Sequence, residues 1–122
     1  MAAKAEQLER IVRELRQLPN VIGAVLVSRG GIVITASATE EAHTETFAAM
    51  GATMSGAASA ALSEFNKLGP ERIMVEGRDC LLMTTDAGPK AILVVLKEGR
   101  EGKEQLMDGV EVAARLIRET LS

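Results

Sequence analysis

The chain has 122 residues and a mass of 12.9 kDa, which suffices for one domain with a core, so we expect a single domain over residues 1–122. A composition of 47% hydrophobic and 25% charged residues is typical of an ordered globular protein and excludes a disordered chain. The net charge is −3 and the only aromatic residues are Phe47 and Phe65, which argues against nucleic acid as a partner.

The cysteine and histidine content limits the chemistry further. One cysteine, Cys80, and one histidine, His43, can form neither an internal disulfide nor a zinc site, and this usage fits a reducing, cytoplasmic location. Eighteen consecutive residues from Thr46 to Ser63 carry no charge, but they are mostly Ala, Gly, Ser and Thr. Such residues are too weakly hydrophobic for a membrane span, so we expect none.

The N-terminal third predicts a helix followed by a hairpin. From Ala3 to Leu18 apolar residues recur at spacings of three and four, which indicates an amphipathic helix. Two runs rich in β-branched residues follow, Val21–Ser28 and Ile32–Ala38, and each predicts a strand. The intervening Arg29-Gly30-Gly31 favours a tight turn, because glycine adopts positive φ without strain.

A long helix is predicted from Thr39 to Leu68, ended by Gly69 and Pro70. One stripe of this helix is expected to pack on a sheet; it holds Phe47, Met50, Met54, Ala58, Ala61, Phe65 and Leu68. The opposite stripe lacks the charges of an ordinary solvent-exposed face and is called here the small-residue face. Its residues are Ala48, Ala49, Ala52, Gly56, Ser59, Ala60 and Ser63.

Three further strands and a final helix complete the chain. The strands are predicted at Glu71–Glu76, Cys80–Asp86 and Lys90–Leu96, joined by short turns into an antiparallel meander. The continuous apolar run Ala91–Leu96 indicates a central strand, whereas the charges of Glu71–Glu76 mark an edge strand. The predicted fold is an α/β three-layer sandwich of topology α-β-β-α-β-β-β-α. Its five-stranded antiparallel sheet has the long helix on one face and the other two on the opposite face.

Signatures of nucleotide binding and catalysis are missing. The only Gly-Lys pair, Gly102-Lys103, is followed by Glu104 and does not complete a phosphate-binding loop, and no dinucleotide fingerprint follows a strand. His43 is best interpreted as solvated, Cys80 as a core thiol, and Glu40 with Glu41 as acids favourable to a helix N-terminus. We therefore expect no catalytic residues, no metal and no cofactor.

Two predicted surfaces have features that a monomer in water does not require. The first is the backbone of the edge strand, which would pair with another strand and is formed by Arg72, Ile73, Met74, Val75 and Glu76. The second is the small-residue face, where short side chains allow another helix to approach closely. Alanine is also simply the best helix former, but Gly56 argues against that explanation because a mid-helix glycine costs about 1 kcal/mol.

The order of these elements resembles the roadblock / dynein light-chain domain family. The resemblance is carried by the stretch from Leu18 to Ser37, LPNVIGAVLVSRGGIVITAS, and continues through the alanine-rich helix and the meander. It implies a non-enzymatic, cytoplasmic homodimer whose third strands pair antiparallel, with residues 72–76 at the dimer interface and residues 48–63 contacting helices and partners. It further implies a small Ras-like GTPase as partner, whose nucleotide cycle the dimer modulates.

Two alternatives remain open from the sequence. A dimeric scaffold, pairing with itself or with a related chain, would bind without changing GTPase kinetics. A small-ligand sensor would use a pocket between the sheet and a helix layer, although the chain is poor in the aromatic residues that line such pockets. Arg29 and Arg78 lie on predicted turns, from which an arginine could reach a bound GTPase.

Overall fold

The computed structural model describes residues 2–39 and 43–122, within which three helices and five strands follow one another as α-β-β-α-β-β-β-α. The element order is therefore the predicted one. The elements are α1 (Ala2–Arg16), β1 (Val21–Ser28), β2 (Val33–Ala38), α2 (Thr44–Ser63), β3 (Arg72–Glu76), β4 (Cys80–Asp86), β5 (Ala91–Glu98) and α3 (Lys103–Leu121).

All five strands form one antiparallel sheet in the order β2-β1-β5-β4-β3. The apolar strand β5 is central, as its sequence predicts, because it must cover both of its faces with protein. Strands β2 and β3 lie at the two edges, which confirms the edge position predicted for residues 72–76.

The helices cover the sheet as a three-layer sandwich. Helices α1 and α3 pack on one face, where Val12, Leu26 and Ile117 are among the residues of the larger core. Helix α2 packs on the other face over β1, β2 and β5, where Val25, Ile92 and Val94 form the smaller core. The predicted fold class and the distribution of the helices are confirmed.

The prediction that α2 reaches Leu68 is wrong. The helix ends at Ser63 because Asn66 adopts a left-handed φ of 59° and the N–H of Lys67 turns back to the carbonyl of Leu62 at 3.0 Å. This is a Schellman-type ending with asparagine in the position that glycine usually fills. At the other end the described helix begins at Thr44, and Glu40 and Glu41 lie outside the described residues.

The predicted packing face of α2 is also wrong. Met50 is 58% exposed and Phe65 78%, and of the predicted stripe Phe47 joins the smaller core as a partly buried residue. The residues buried against the sheet are instead small: Ala48, Gly51, Ala52 and Ser55. The helix lies too close to the sheet for large side chains beneath it, since a Cβ at Gly51 would stand 2.6 Å from Cγ2 of Val94.

Candidate functional site

The edge strand β3 is held in place by ion pairs from its two ends to the region of α3. Arg72 lies 2.7 Å from Glu111, and Glu76 lies 3.1 Å from Lys103 and 3.5 Å from Arg100. These contacts draw the charged side chains towards α3 and away from the plane of the sheet. Edge strands commonly use charged side chains to block pairing with another strand. In β3 the charged side chains are held near α3, so they do not shield the backbone edge.

Two basic side chains perturb the charge environment of Glu76 at this edge. The hydrogen bond and charge of Lys103, followed by those of Arg100, hold the pKa of the Glu76 carboxyl below its ordinary value of 4.5. The Glu76 side chain is about half exposed to solvent, so the pairing is screened and contributes little to stability. Glu76 is nevertheless an anion at neutral pH, fixed beside the edge.

An apolar strip adjoins the edge on the face that carries α2. Ile73 and Val75 alternate with the charged positions of β3, and their register partners are Thr84 and Leu82 of β4. Val75 is 38% exposed, because α2 packs over β1, β2 and β5, towards the opposite edge of the sheet. The half of this face nearest β3 is therefore open to further packing.

Helix α2 turns large side chains outward on the flank that includes Phe47. Met54, Ala58 and Ala61 follow Phe47 at helical spacing and are half-buried or exposed, with Met50 beside them. We call these four residues, Met50, Met54, Ala58 and Ala61, the methionine flank. The sequence assigned them to the core, but a partly exposed apolar flank with two methionines is typical of a contact surface.

The small-residue face divides between packing and exposure. Ala48 and Ala52 are buried against the sheet, which corrects their assignment to a partner-binding face. Gly56, Ser59, Ala60 and Ser63 are exposed and Ala49 is half-buried, and nothing lies within 4 Å of a Cβ placed at Gly56. These five residues form the outer face of α2. In α2 the glycine that packing requires is Gly51 and not Gly56, for which the sequence predicts a packing role.

The two turn arginines have different environments. Arg29 donates to Asp86 Oδ1 at 2.8 Å, to the Pro89 carbonyl at 2.8 Å and to the Gly88 carbonyl at 2.9 Å. Its guanidinium therefore ties the β1–β2 turn to the β4–β5 turn and is not poised to reach another molecule. Arg78 is exposed on the β3–β4 turn.

The single histidine and the single cysteine lie at the starts of different elements. His43 is exposed immediately before α2, and Cys80 is half-buried at the start of β4. His43 borders a cavity of about 410 Å³ between the start of α2 and the sheet, walled by Phe47, Val25 and Leu96. This cavity is one of the spaces between α2 and the sheet that the small-ligand alternative would use.

Helix α2 contains the uncharged stretch from Thr46 to Ser63. Over the described residues, none of the helices combines the length and the hydrophobicity that crossing a bilayer requires.

Together these features define a three-layer α/β sandwich whose candidate site consists of an open strand edge and an exposed helix. The profile of the Roadblock/LC7 domain family matches residues 7–97. An uncharacterized protein of Methanocaldococcus jannaschii is 32% identical over 93 residues, which are 76% of this chain and 78% of that relative. The chain belongs to the Roadblock/LC7 domain family.

Solved structures share the fold at low identity. MglB of Myxococcus xanthus superposes with a TM-score of 0.89 at 18% identity, covering 96% of this chain and 89% of that one. The gliding protein MglB of Thermus thermophilus gives a TM-score of 0.84 at 19% identity, covering 97% of this chain and 90% of that one. The fold resemblance thus extends beyond the family match to α3.

Proposed function

We propose that this chain is a non-enzymatic, cytoplasmic homodimer that binds a small Ras-like GTPase and modulates its nucleotide cycle. The observation that carries the proposal is the uncovered backbone edge of β3 beside the exposed Val75. Membership of the Roadblock/LC7 domain family and the fold shared with the gliding protein MglB support it.

The dimer would form by pairing β3 with β3 of a second copy. An unpaired strand edge recruits another strand unless charge, proline or a covering element prevents it. Here Arg72 and Glu76 are occupied by ion pairs near α3, and the facing strip of Ile73 and Val75 would gain burial from the second copy. Pairing would extend the sheet across both chains.

The methionine flank would complete the dimer interface. A second copy placed at β3 brings a second α2 onto the same side of the extended sheet, with the open half of the sheet between the helices. Met50 and Met54 would fill that space, since flexible unbranched side chains adapt to irregular gaps. Met50 and Met54, which the sequence predicts to pack in the monomer core, would thus pack in the dimer interface.

The GTPase would contact the outer face of α2. Gly56 and Ala60 offer an uncharged surface without long side chains, so a partner can approach the helix backbone closely. Contacts that differ between the GDP-bound and GTP-bound switch loops would shift the nucleotide cycle. Arg29 is engaged within the chain, so of the two turn arginines Arg78 is the one left exposed. Regulation that does not use Arg78 would act by positioning the GTPase's own groups.

The experiment combines oligomeric state with kinetics. Light scattering should give about twice 12.9 kDa across a hundredfold dilution. Purified small Ras-like GTPases are then assayed for single-turnover GTP hydrolysis and for release of labelled nucleotide, with and without this protein. A rate changed by about tenfold or more supports the proposal, whereas an unchanged rate in every GTPase that binds contradicts the regulatory part.

The binding surface is tested by Gly56→Lys, with Gln7→Lys on the exposed side of α1 as a matched control. Lysine at position 56 has open space around it and keeps the helix, but places a charged chain on the outer face. We expect loss of GTPase binding for Gly56→Lys alone. Equal binding by both variants would mean that the GTPase uses another surface.

A scaffold without kinetic effect is the second candidate, and the engagement of Arg29 favours it. Arg29 donates to the carbonyls of Pro89 and Gly88, so it is not free to stabilise the transition state of GTP hydrolysis in a bound GTPase. Binding of both nucleotide states with equal affinity would identify the scaffold, because equal affinity shifts no equilibrium.

A further inference from the structure

We propose that β3 pairs with β3 of a second copy in a single register, centred on Met74, so that Arg72 lies opposite the partner's Glu76. The inference rests on the homodimer proposed above and adds the alignment of the two strands and the ion pairs between them. It makes the edge self-complementary, which favours a second copy over a related chain with other residues at these positions.

The backbone hydrogen bonds at the ends of β3 establish which residues face the open edge. The N–H of Asp86 donates to the carbonyl of Glu71 at 3.0 Å, and the N–H of Gly77 donates to the carbonyl of Cys80 at 2.9 Å. In an antiparallel ladder, residues bonded to one neighbouring strand alternate with residues whose N–H and C=O point to the other side. Positions 71 and 77 therefore bond to β4.

The alternation continues through the strand. Ile73 and Val75 share the orientation of positions 71 and 77 and bond inward to β4. The residues that present their N–H and C=O groups to a second copy are Arg72, Met74 and Glu76. A symmetric antiparallel partner must place these outward residues opposite one another.

Three pairings with substantial overlap satisfy that requirement, and their two-fold axes pass through Met74, Ile73 or Val75. Backbone hydrogen bonding distinguishes the Met74 pairing from the Ile73 pairing. A pairing centred on Met74 places every outward residue opposite another, so all their backbone groups are bonded. A pairing centred on Ile73 places Glu76 opposite Pro70, which has no N–H to donate. The Ile73 centre therefore leaves hydrogen bonds unmade at both ends.

The charges of the opposed side chains distinguish the Met74 pairing from the Val75 pairing. A pairing centred on Val75 places Arg72 opposite the partner's Arg78, and like charges directly opposite destabilise a sheet. The Met74 centre instead places Arg72 opposite the partner's Glu76, an attractive pair that the two-fold axis repeats. The attraction favours the same register that backbone bonding favours.

The ion pairs within each chain extend this attraction into a network of alternating sign. Arg72 is bound to Glu111 at 2.7 Å, and Glu76 is bound to Lys103 at 3.1 Å. In the Met74 register the order of charges across the interface is Glu111, Arg72, the partner's Glu76 and the partner's Lys103. On the other face of the sheet, Ile73 lies opposite the partner's Val75.

Cysteine cross-linking tests the register. In a Cys80→Ala background, Met74→Cys should form a disulfide-linked dimer under mild oxidation, because opposed residues of a ladder have Cα separations within disulfide range. Ile73→Cys co-expressed with Val75→Cys should cross-link, and each alone should not. Cross-linking of Ile73→Cys or Val75→Cys alone would overturn the Met74 register.

The solution mass of the unmodified protein separates the two levels of the proposal. A monomer at all concentrations would overturn the homodimer and the register together. A dimer in which Met74→Cys fails to cross-link would overturn the register alone and leave the proposed dimer standing.

Charge reversal tests the ion pairs independently. Circular dichroism first verifies that the variants Arg72→Glu and Glu76→Arg are folded. The dissociation constant of each variant's homodimer should be about tenfold or more above that of the parent, since each variant places like charges opposite one another. A mixture of the two should form a heterodimer, because its opposed pairs are again Arg with Glu. Arg78→Glu is the control and should leave association within about twofold. A mixture no tighter than the single variants would overturn the ion pairs.

Discussion

Gly51 of α2 lies directly over Val94 of the central strand, where a Cβ would stand 2.6 Å from Cγ2 and 3.0 Å from Cγ1 of the valine. Carbon atoms in contact prefer separations of about 3.5–4.0 Å. The depth at which α2 packs is therefore available only to glycine at this position. The neighbouring packing residues Ala48, Ala52 and Ser55 are small for the same reason.

Replacing Gly51 by alanine should destabilise the fold although alanine is the better helix former. Alanine gains about 1 kcal/mol of helix propensity, but overpacking of a tight contact costs about 1–3 kcal/mol. We expect a net loss of about 1 kcal/mol in the free energy of unfolding. Urea denaturation followed by circular dichroism measures it, since the chain has no Trp or Tyr.

The matched control for that variant is Gly56→Ala, on the open side of the same helix. With nothing within 4 Å of the added methyl, only propensity changes, and we expect a gain of up to about 1 kcal/mol. Equal stabilisation by both substitutions would contradict the close packing of Gly51 on Val94.

Glu76 should give a small pH-dependent contribution to stability. Its folded pKa is lowered by Lys103 and then Arg100, so the stabilisation is present above 4.5, the ordinary value, and disappears as pH falls through the folded pKa. Glu76→Gln removes this contribution. The difference in the free energy of unfolding between parent and variant, measured at low salt from pH 7 to pH 3, should shrink on acidification. A difference that grows on acidification would mean that the pKa of Glu76 is raised in the folded protein and not lowered.

Arg29 should matter for stability and not for the nucleotide cycle. Arg29→Ala leaves the carbonyls of Gly88 and Pro89 without this donor and removes an ion pair that is partly exposed, so we expect a loss of about 1 kcal/mol. Thermal melting measures the loss. An unchanged melting temperature together with loss of any GTPase regulation would mean that Arg29 acts on the partner.

Asn66 should respond to substitution as a left-handed helix end. Its φ of 59° is easily adopted by glycine and disfavoured for alanine, so Asn66→Gly should be neutral or stabilising. Asn66→Ala should destabilise by about 1 kcal/mol. Melting temperatures in the reverse order would contradict the assigned helix ending.

The fold was predictable because its elements are marked by local pattern. The alternation of β-branched runs with glycine turns identified β1 and β4 with their observed bounds, and the apolar run of β5 identified the centre of the sheet. The charges of β3 identified an edge. The end of α2 was missed because Asn66, a weaker signal than Gly69-Pro70, stops the helix first.

The orientation of α2 was not predictable from its sequence. Hydrophobicity alone favours burial of Met50 and Phe65, yet the two are 58% and 78% exposed while Ala48 is fully buried. Which stripe faces the sheet depends on the distance between helix and strands, and that distance is set by contacts between residues far apart in the chain.

The sequence by itself determined the order of the elements, the central strand, the open edge and the resemblance to the roadblock family, because each depends on local periodicity or on a contiguous stretch. Only the tertiary structure decided that Gly51 packs on Val94, that Asp86 engages Arg29, and that the charges of β3 pair near α3. These are pairwise distances between separate elements, and one-dimensional pattern carries no information about their values.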